Sequence, residues 1–424
     1  MRNDKENGLY ERLQSRNKLE NGDVLARVSE ILDNIRKNGD LALSNYTKLF
    51  DGVEIDQKAL RVKKEEIDKA YAEIDPELIK VIKRSGENIR DFHAKQKENS
   101  WFTSEKEGII LGQVLRPLEK VGVYVPGGTA ALASSVLMNI LPAKVAGVEK
   151  IVMATPPRKD GTIHPAILVA ANEAGADEIY KMGGAQAIAA LAFGTETIPK
   201  VDKIFGPGNI YVATAKRMVY GYCDIDMFAG PSEITIVADD SADPVYVAAD
   251  LLSQAEHDIL ASAILVTDSE KLALAVRDEL EIQVGKLPRR DIAGKSISDY
   301  GAIVITSSLE ATLGVVNQIA PEHLELCVKE PFELLGSVKN AGAIFLGHYA
   351  PEPLGDYMAG PNHVLPTSGT ARFFSPLNVG DFIKKSSVIS YSRKALEAVK
   401  DDVIRFAEAE GLTAHANAIK VRFK

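Results

Sequence analysis

The chain has 424 residues, of which 46% are hydrophobic and 26% are charged, a composition typical of globular proteins with two or three domains. Its formal net charge of −9 and the lack of a long basic run disfavour nucleic acid as a partner. The sequence contains no run of about 18 apolar residues, so no membrane span is predicted. The charged N-terminus lacks the apolar core of a signal peptide. Two cysteines, Cys223 and Cys327, cannot form a disulfide framework or a thiolate zinc site. We therefore expect a cytoplasmic enzyme or binding protein.

Residues 1–60 have the patterning of helices. Apolar residues recur at helical spacing through 24–35, and Gly39 is a natural helix stop. A second helical stretch is predicted over 63–97, with an interruption near Asp75–Pro76.

From about residue 108, short apolar runs alternate with alanine-rich helical segments, and this alternation starts again after Pro231. The predicted strands lie in EKVGVYVPGG, KIVMATPP, DEIYKMGG, KVDKIFGPGN, EITIVADD, SAILVTD, AIVITSS, HLELCV and AGAIFLG. Helices are predicted between them, including 269–284 and 308–319. Such alternation is typical of parallel sheets covered on both faces, so the sequence predicts two related α/β domains. The segment 378–424 is predicted to be a helical tail.

The stretch PVYVAADLLSQAEHD (244–258) is predicted to be a helix with Asp243 as its N-cap. Near its end, Gln254 and His257 lie three residues apart and are predicted to be neighbours on one helical face. Taken alone, such a pair is more often a hydrogen-bonded helix end than a ligand pair. Of the seven histidines, His93 and His164 are interpreted as structural and His348 as a loop residue.

Two other stretches combine histidine with carboxylates. Glu322 and His323 follow a predicted helix at the mouth of an α/β sheet, where an adjacent carboxylate and imidazole can relay protons. The stretch 353–373 is predicted to be a long rigid loop that carries Asp356 and His363 among several glycines and prolines.

One amide oxygen, two imidazoles and one carboxylate would suit zinc or another borderline divalent metal. The side chains of Gln254, His257, Asp356 and His415 supply that set. Their spacing is not a recognised local metal motif, so the residues alone leave the metal site open.

Several blocks of this chain resemble the histidinol dehydrogenase family. These blocks are GPSEITIVAD, LLSQAEHD, APEHLEL, GDYMAGPNHVLPT and the terminal EGLTAH, in this order over about residues 20–420. The resemblance implies a zinc-dependent oxidation of L-histidinol to L-histidine with two NAD+, the last step of histidine biosynthesis. It also implies two Rossmann-like α/β domains in an intertwined homodimer, in which the tail of one subunit completes the site of the other.

The implied domains are a helical segment at 1–21, a discontinuous α/β domain of 22–123 and 232–377, a dinucleotide-binding domain of 124–231 and the tail. Matching motif by motif, Gln254, His257, Asp356 and His415 take the positions of the ligands of one zinc ion per subunit. Glu322 and His323 match the two proton-transfer residues. The further positions that contact histidinol match Ser232, His363 and Glu410, and the NAD+ contacts match Tyr124, Gln186 and Asn209.

NAD+ rests mainly on this resemblance, because the chain has no G-x-G-x-x-G motif. The glycine turns GPGN (206–209) and PGG (126–128) precede helices and could present N–H groups to a pyrophosphate. Ordinary tight turns explain them equally well.

In the implied reaction, His323 is the base for the alcohol proton and Glu322 activates the water that attacks the aldehyde. Zinc would orient the substrate, and both cysteines are interpreted as structural. Three alternatives remain. One is a related dehydrogenase of another small polar alcohol, disfavoured by the presence of Glu410. The second is a zinc hydrolase, disfavoured by the lack of H-E-x-x-H, and the third is a non-catalytic metal-binding module.

Overall fold

The computed structural model describes residues 6–16, 22–127, 132–227 and 230–424, which form two compact units. The first unit comprises 1–96 and 118–382, and the second comprises 97–117 and 383–424. The helices are α1 (Glu6–Ser15), α2 (Gly22–Asp51), α3 (Lys64–Glu73), α4 (Pro76–Ala94), α5 (Ala133–Ala146), α6 (Pro165–Ala174), α7 (Gly184–Phe193), α8 (Ile210–Val219), α9 (Pro244–Ala255), α10 (Glu270–Val284), α11 (Arg290–Tyr300), α12 (Leu309–Ile319), α13 (Pro331–Leu335), α14 (Glu352–Tyr357), α15 (Arg393–Ala409) and α16 (Thr413–Lys420). The strands are β1 (Trp101–Thr103), β2 (Ile109–Pro117), β3 (Lys120–Tyr124), β4 (Lys150–Thr155), β5 (Glu178–Lys181), β6 (Lys203–Phe205), β7 (Asp224–Ile225), β8 (Glu233–Ala238), β9 (Ser262–Thr267), β10 (Ala302–Ile305), β11 (His323–Cys327), β12 (Ala343–Leu346) and β13 (Ile383–Tyr391).

The first unit contains two five-stranded parallel sheets, which confirms the predicted α/β class. The first sheet has the order β5-β4-β3-β6-β7 and the second sheet the order β10-β9-β8-β11-β12. In each sheet the first strand in the chain is central, and the order reverses between it and the fourth strand. Every residue of β8 and β9 is buried, as expected for strands covered on both faces.

Helices cover both faces of each sheet. Around the first sheet, α2, α7 and α8 share one core, and α4, α5 and α6 share the other. Around the second sheet, α9, α10 and α11 lie on one face, and α1, α12 and α13 lie on the other. The division implied by the resemblance grouped 22–123 with the second sheet, whereas α2 contributes its apolar side chains to the core of the first sheet.

Helix α2 is interrupted at Gly39, the predicted stop. Gly39 has φ 48° and ψ −129°, and a Cβ atom there would lie 2.2 Å from the Glu196 carboxylate. Glycine is therefore required at this close approach, and the chain resumes a helical path to Asp51. The segment 17–21 and the last residue of PGG, Gly128, lie outside the described residues.

The second unit corrects the expectation of an all-helical tail. Its strand β13 pairs antiparallel with β2 along nine residues, and β1 completes a three-stranded sheet. The serine and β-branched residues of KKSSVISY suit a paired strand better than a helix, and the partner β2 is far away in sequence. Helices α15 and α16 follow, as predicted for the rest of the tail.

The two sheets present their predicted functional residues at opposite edges. Tyr124 ends β3 at the carboxyl edge of the first sheet, where ligands of parallel sheets usually bind. His323 begins β11, next to Glu233 at the start of β8, so the predicted proton-transfer pair lies at the amino edge of the second sheet. The sequence predicts that this pair lies at the mouth of the sheet where ligands usually bind, which is the carboxyl edge, and the structure corrects that position. Among the described residues, no helix is long and apolar enough to cross a membrane.

Candidate active site

The start of strand β8 holds both predicted proton-transfer residues. Glu322 and His323 are 7% and 5% exposed, just after the αL residue that ends α12. The backbone N–H of Glu233 donates to Glu322 Oε2 at 2.8 Å, and His323 Nδ1 lies 2.9 Å from the carbonyl oxygen of Glu233. One residue of a neighbouring strand therefore fixes both side chains through its backbone.

Burial sets the protonation of this pair. It raises the pKa of Glu322 well above its ordinary value, and it lowers the pKa of His323 to about 4. Because a carbonyl oxygen only accepts, Nδ1 of the neutral imidazole carries the proton and Nε2 is left with a free lone pair. A neutral His323 can therefore take a proton at Nε2.

Asp356 and Glu352 lie one turn apart on α14, so the predicted rigid loop contains a short helix here. Glu352 is 2% exposed, and its Oε1 lies 3.7 Å from His323 Nε2 with no hydrogen-bond partner among the described residues. Ligand atoms of His323, Glu352 and Asp356 all lie within 4.8 Å of one another. Glu352 was not among the predicted residues, although its i, i+4 spacing to Asp356 in EPLGD places both carboxylates on one face of any helix.

Burial raises the proton affinity of both carboxylates. The pKa of Glu352 rises to about 8, first through burial and then through the charge of Asp356, while His257 and the Gln254 amide counteract the shift. Burial also raises the pKa of Asp356 to about 6. Gln254, His257, Glu352 and Asp356 therefore lie in one electrostatic neighbourhood.

The predicted helix that carries Gln254 and His257 ends between these two residues. Helix α9 ends at Ala255, and the N–H of His257 closes a tighter turn onto the Gln254 carbonyl at 3.1 Å. His257 is therefore exposed beyond the helix end, while Gln254 is buried in its last turn. A hydrogen-bonded helix end would require a partner for the Gln254 amide, but neither of its amide atoms has a hydrogen-bond partner among the described residues.

A cavity of about 540 Å³ opens onto this cluster. His323, Asp356 and His363 line it, together with apolar residues such as Leu377. Burial lowers the pKa of His363 to about 4, and its Nε2 is buried without a hydrogen-bond partner. Ser232 precedes Glu233 and is partly buried, so the predicted substrate residues of the first unit lie around the proton-transfer pair and its cavity.

The two remaining predicted residues belong to the second unit. Glu410 caps the C-terminus of α15, and His415 lies in the first turn of α16. Both side chains are exposed.

The carboxyl edge of the first sheet contains the three residues predicted to bind NAD+. The Tyr124 hydroxyl accepts from the N–H of Gly184 at 3.1 Å, at the start of α7. Gln186 in the same turn is 1% exposed, and neither of its amide atoms has a hydrogen-bond partner in the described part of the chain. Asn209 is exposed and caps α8 by accepting from the N–H groups of Tyr211 and Val212 at 3.0 and 3.2 Å.

These contacts distinguish the two helices as anion sites. Asn209 already occupies two N–H groups of α8, which the GPGN turn precedes. Gly183 starts α7 without a side-chain cap, and a Cβ atom at Gly184, where φ is 63°, would lie 2.6 Å from the Gln186 amide. The Tyr124 hydroxyl takes one N–H group at the start of α7, whereas the Asn209 side chain takes two at the start of α8. The start of α7, beside a buried amide without a hydrogen-bond partner among the described residues, therefore fits a phosphate-containing ligand better than the start of α8.

The donor set near α14 also fits a borderline metal ion. Gln254 offers a buried, unpartnered amide oxygen beside two clustered carboxylates, and His257 adds an imidazole. By contrast, burial raises the pKa of both Cys223 and Cys327, so neither thiol is poised as a ligand or nucleophile.

Comparison with known proteins gives one consistent result. The family model for histidinol dehydrogenase matches residues 14–423. The histidinol dehydrogenase of Caldanaerobacter subterraneus is 60% identical over 416 residues, which cover 98% of this chain and 96% of that protein. That of Clostridium acetobutylicum is 57% identical over 415 residues, covering 98% and 96%. The crystal structure of histidinol dehydrogenase from Elizabethkingia anophelis superposes with a TM-score of 0.91 at 42% identity and covers 95% of this chain and 93% of that one.

Proposed function

Because this chain belongs to the histidinol dehydrogenase family and is therefore an oxidoreductase, we propose that it oxidises L-histidinol through L-histidinal to L-histidine with two NAD+. This is the last step of histidine biosynthesis, and we place it in the cytoplasm. The observation that supports the proposal best is the placement of His323, which lines the cavity, is held through Nδ1 by the Glu233 carbonyl oxygen and has its Nε2 3.7 Å from Glu352 Oε1.

His323 acts as the base in the first oxidation. Its Nε2 takes the alcohol proton while a hydride leaves the same carbon for NAD+, which yields histidinal and NADH. Glu322 acts in the second oxidation, because a buried carboxylate with a raised pKa accepts a proton from water readily. His323, after releasing its first proton, takes a hydroxyl proton from the hydrated aldehyde, which gives its hydride to a second NAD+ and becomes the acid.

The residues that would hold one zinc ion per subunit are Gln254, His257, Asp356 and His415. When bound, zinc supplies positive charge that orients the imidazole and amine of the substrate. Glu410 supplies negative charge that suits the substrate ammonium, and Glu352 adds a carboxyl group that ionises when the bound ammonium lowers its raised pKa. The Nε2 of His363, which has no hydrogen-bond partner among the described residues, can accept from the substrate imidazole. Ser232 borders the same site.

The dinucleotide lies at the carboxyl edge of the first sheet, with Tyr124, Gln186 and Asn209 as contacts. The uncapped start of α7 supports placing phosphate there rather than at α8. We further propose a homodimer with shared sites, in which the second unit of one subunit provides Glu410 and His415 to its partner.

A two-step stoichiometry tests the proposal. Purified enzyme with zinc, excess NAD+ and limiting histidinol should form two NADH for each histidine. One NADH for each histidinol, with the aldehyde accumulating, would contradict a four-electron oxidation. The absence of any NADH from histidinol, with turnover of another small polar alcohol, would favour the related dehydrogenase.

A further inference from the structure

The residue that holds the proton-transfer pair is itself held by an ion pair from the N-terminal helix. Glu233 is 4% exposed, and its carboxylate pairs with the guanidinium of Arg16, which follows α1 and is fully buried. Arg16 Nη1 also donates to the carbonyl oxygen of Leu260 at 2.9 Å. The backbone N–H of Ser368, a residue with φ 61°, is a further donor to the Glu233 carboxylate.

The side chain and the backbone of Glu233 have different partners. Its carboxylate is directed to Arg16 and Ser368, while its N–H donates to Glu322 and its C=O accepts from His323. A rotation of the peptide units on either side of Glu233 would therefore displace both proton-transfer side chains together. Fixing the carboxylate restricts that rotation.

We propose that the Arg16–Glu233 ion pair is a positioning device for the reaction, in which Arg16 locks the backbone groups that aim Glu322 and His323. Buried ion pairs contribute little net stability compared with apolar packing, so stability alone does not account for one at this place. Proton transfer depends on geometry, and a displacement of about 1 Å can slow it about 100-fold. Neither residue touches the reacting atoms in this proposal.

The inference rests on the proposed oxidation of histidinol, so the test begins with that activity in the wild-type protein. Arg16→Met removes the charge and retains most of the volume, and Arg16→Lys retains the charge. We expect Arg16→Met to lower kcat about 10-fold or more, with histidinol and with histidinal, and to change KM less than about threefold. Arg16→Lys should recover at least about a third of the wild-type kcat.

A second variant separates positioning from folding. Arg16→Met leaves the Glu233 carboxylate buried and unpaired, so the melting temperature should fall. Arg16→Met combined with Glu233→Gln removes that unpaired charge, and its melting temperature should return toward the wild-type value while kcat stays low. Leu9→Ala, a matched change in the buried face of α1, should lower the melting temperature and leave kcat within about twofold.

Three results would overturn the inference while the wild type oxidises histidinol. They are an unchanged kcat in folded Arg16→Met, full kcat in the double variant, or an equal loss of kcat in Leu9→Ala. A wild-type protein that does not oxidise histidinol would instead contradict the proposed function.

Discussion

His323 Nδ1 lies 2.9 Å from the carbonyl oxygen of Glu233, and this contact fixes which nitrogen of the imidazole is basic. The carbonyl oxygen only accepts, so Nδ1 donates and Nε2 is the proton acceptor. The adjacent Glu322 accepts from the N–H of the same residue, so we expect the two groups to have separate tasks although they are neighbours in sequence.

The two proton-transfer residues should be separable by substitution. Glu322→Gln should slow oxidation of histidinal about 100-fold or more and affect oxidation of histidinol much less, because water is activated only in the second step. His323→Ala should slow both steps, since each oxidation releases a proton. Single-turnover measurements of NADH starting from histidinol or from histidinal would show the difference. Equal losses in both steps for Glu322→Gln would refute the assignment.

Two buried glutamines should have opposite ligand dependences. Gln254 and Gln186 are each 1% exposed, and their amides have no hydrogen-bond partner among the residues that the structure describes. Gln254 lies near the second sheet and Gln186 near the first. Gln254→Ala should lower bound zinc and raise KM for histidinol about 10-fold or more, with NAD+ affinity retained. Gln186→Ala should weaken NAD+ and retain zinc, and it serves as the matched control. Metal analysis measures the bound zinc of both variants, and NAD+ titration measures their NAD+ affinity.

Removal of the metal should abolish turnover. A strong chelator should abolish the activity of the wild-type protein, and added zinc should restore it. Full activity of verified metal-free protein would exclude the metal role.

Glu352 should contribute to substrate binding through the charge that it gains when a bound substrate ammonium lowers its raised pKa of about 8. Its Oε1 has no hydrogen-bond partner within the described ranges and lies 3.7 Å from His323 Nε2. Glu352→Gln preserves the shape but loses the negative charge, so we expect kcat/KM for histidinol to fall about 10-fold or more, with zinc content unchanged. Ser253→Ala removes a 3.3 Å contact to the other carboxylate oxygen and should have a smaller effect. Loss of zinc in Glu352→Gln would instead identify this carboxylate as a ligand.

Much of this architecture could be predicted from local patterns. Predicted strands and the Asp243-capped start of α9 depend on residues close together in sequence, and the structure has them. The position of His323 at the amino edge and the strand pairing of 383–391 depend on distant partners, so periodicity could not reveal them. The exposed position of His257 follows from a turn at the last residues of α9, where sequence patterns define boundaries poorly. Glu352 was missed because a carboxylate in a Pro- and Gly-rich stretch resembles a solvated loop residue.

Asp51 should make the stability of the fold depend on pH. Asp51 is the last residue of α2, and its Oδ2 has no hydrogen-bond partner among the described residues. Burial raises the pKa of this carboxyl group from 3.8 to about 6. The native state thus binds this proton more tightly than the unfolded state. The ionised carboxylate therefore costs stability above pH 6, and the cost disappears as the pH falls below about 4.

Asp51→Asn should accordingly raise the free energy of unfolding by up to about 2 kcal/mol at pH 8, and the gain should vanish toward pH 4. Urea unfolding at both pH values measures the change. Asp33→Asn, an exposed position of the same helix, should change the free energy of unfolding by less than about 0.5 kcal/mol at either pH. An Asp51→Asn protein that is less stable than the wild type at pH 8 would show that the carboxylate has a stabilising partner.

The proposed shared sites can be tested by complementation between two inactive variants. Asp356→Ala removes a predicted ligand on α14 of the first unit, and His415→Ala removes one on α16 of the second. In a mixed dimer with shared sites, the first unit of the His415→Ala subunit receives the second unit of the Asp356→Ala subunit. One of its two sites is then intact. Random mixing puts about half of the chains in mixed dimers, so roughly a quarter of the wild-type activity should return in the unpurified mixture and about half in purified mixed dimers.

The mixed dimers should be formed by co-expression with two different tags and purified through both, because an intertwined dimer exchanges subunits slowly. Doubly tagged wild-type dimers are the control for activity, and dimers of each single variant should stay inactive. Restored activity supports a site built from two chains, since no single subunit in the mixture has both ligands. If verified mixed dimers are inactive, His415 serves its own subunit, and the exposed α16 completes a site within one chain.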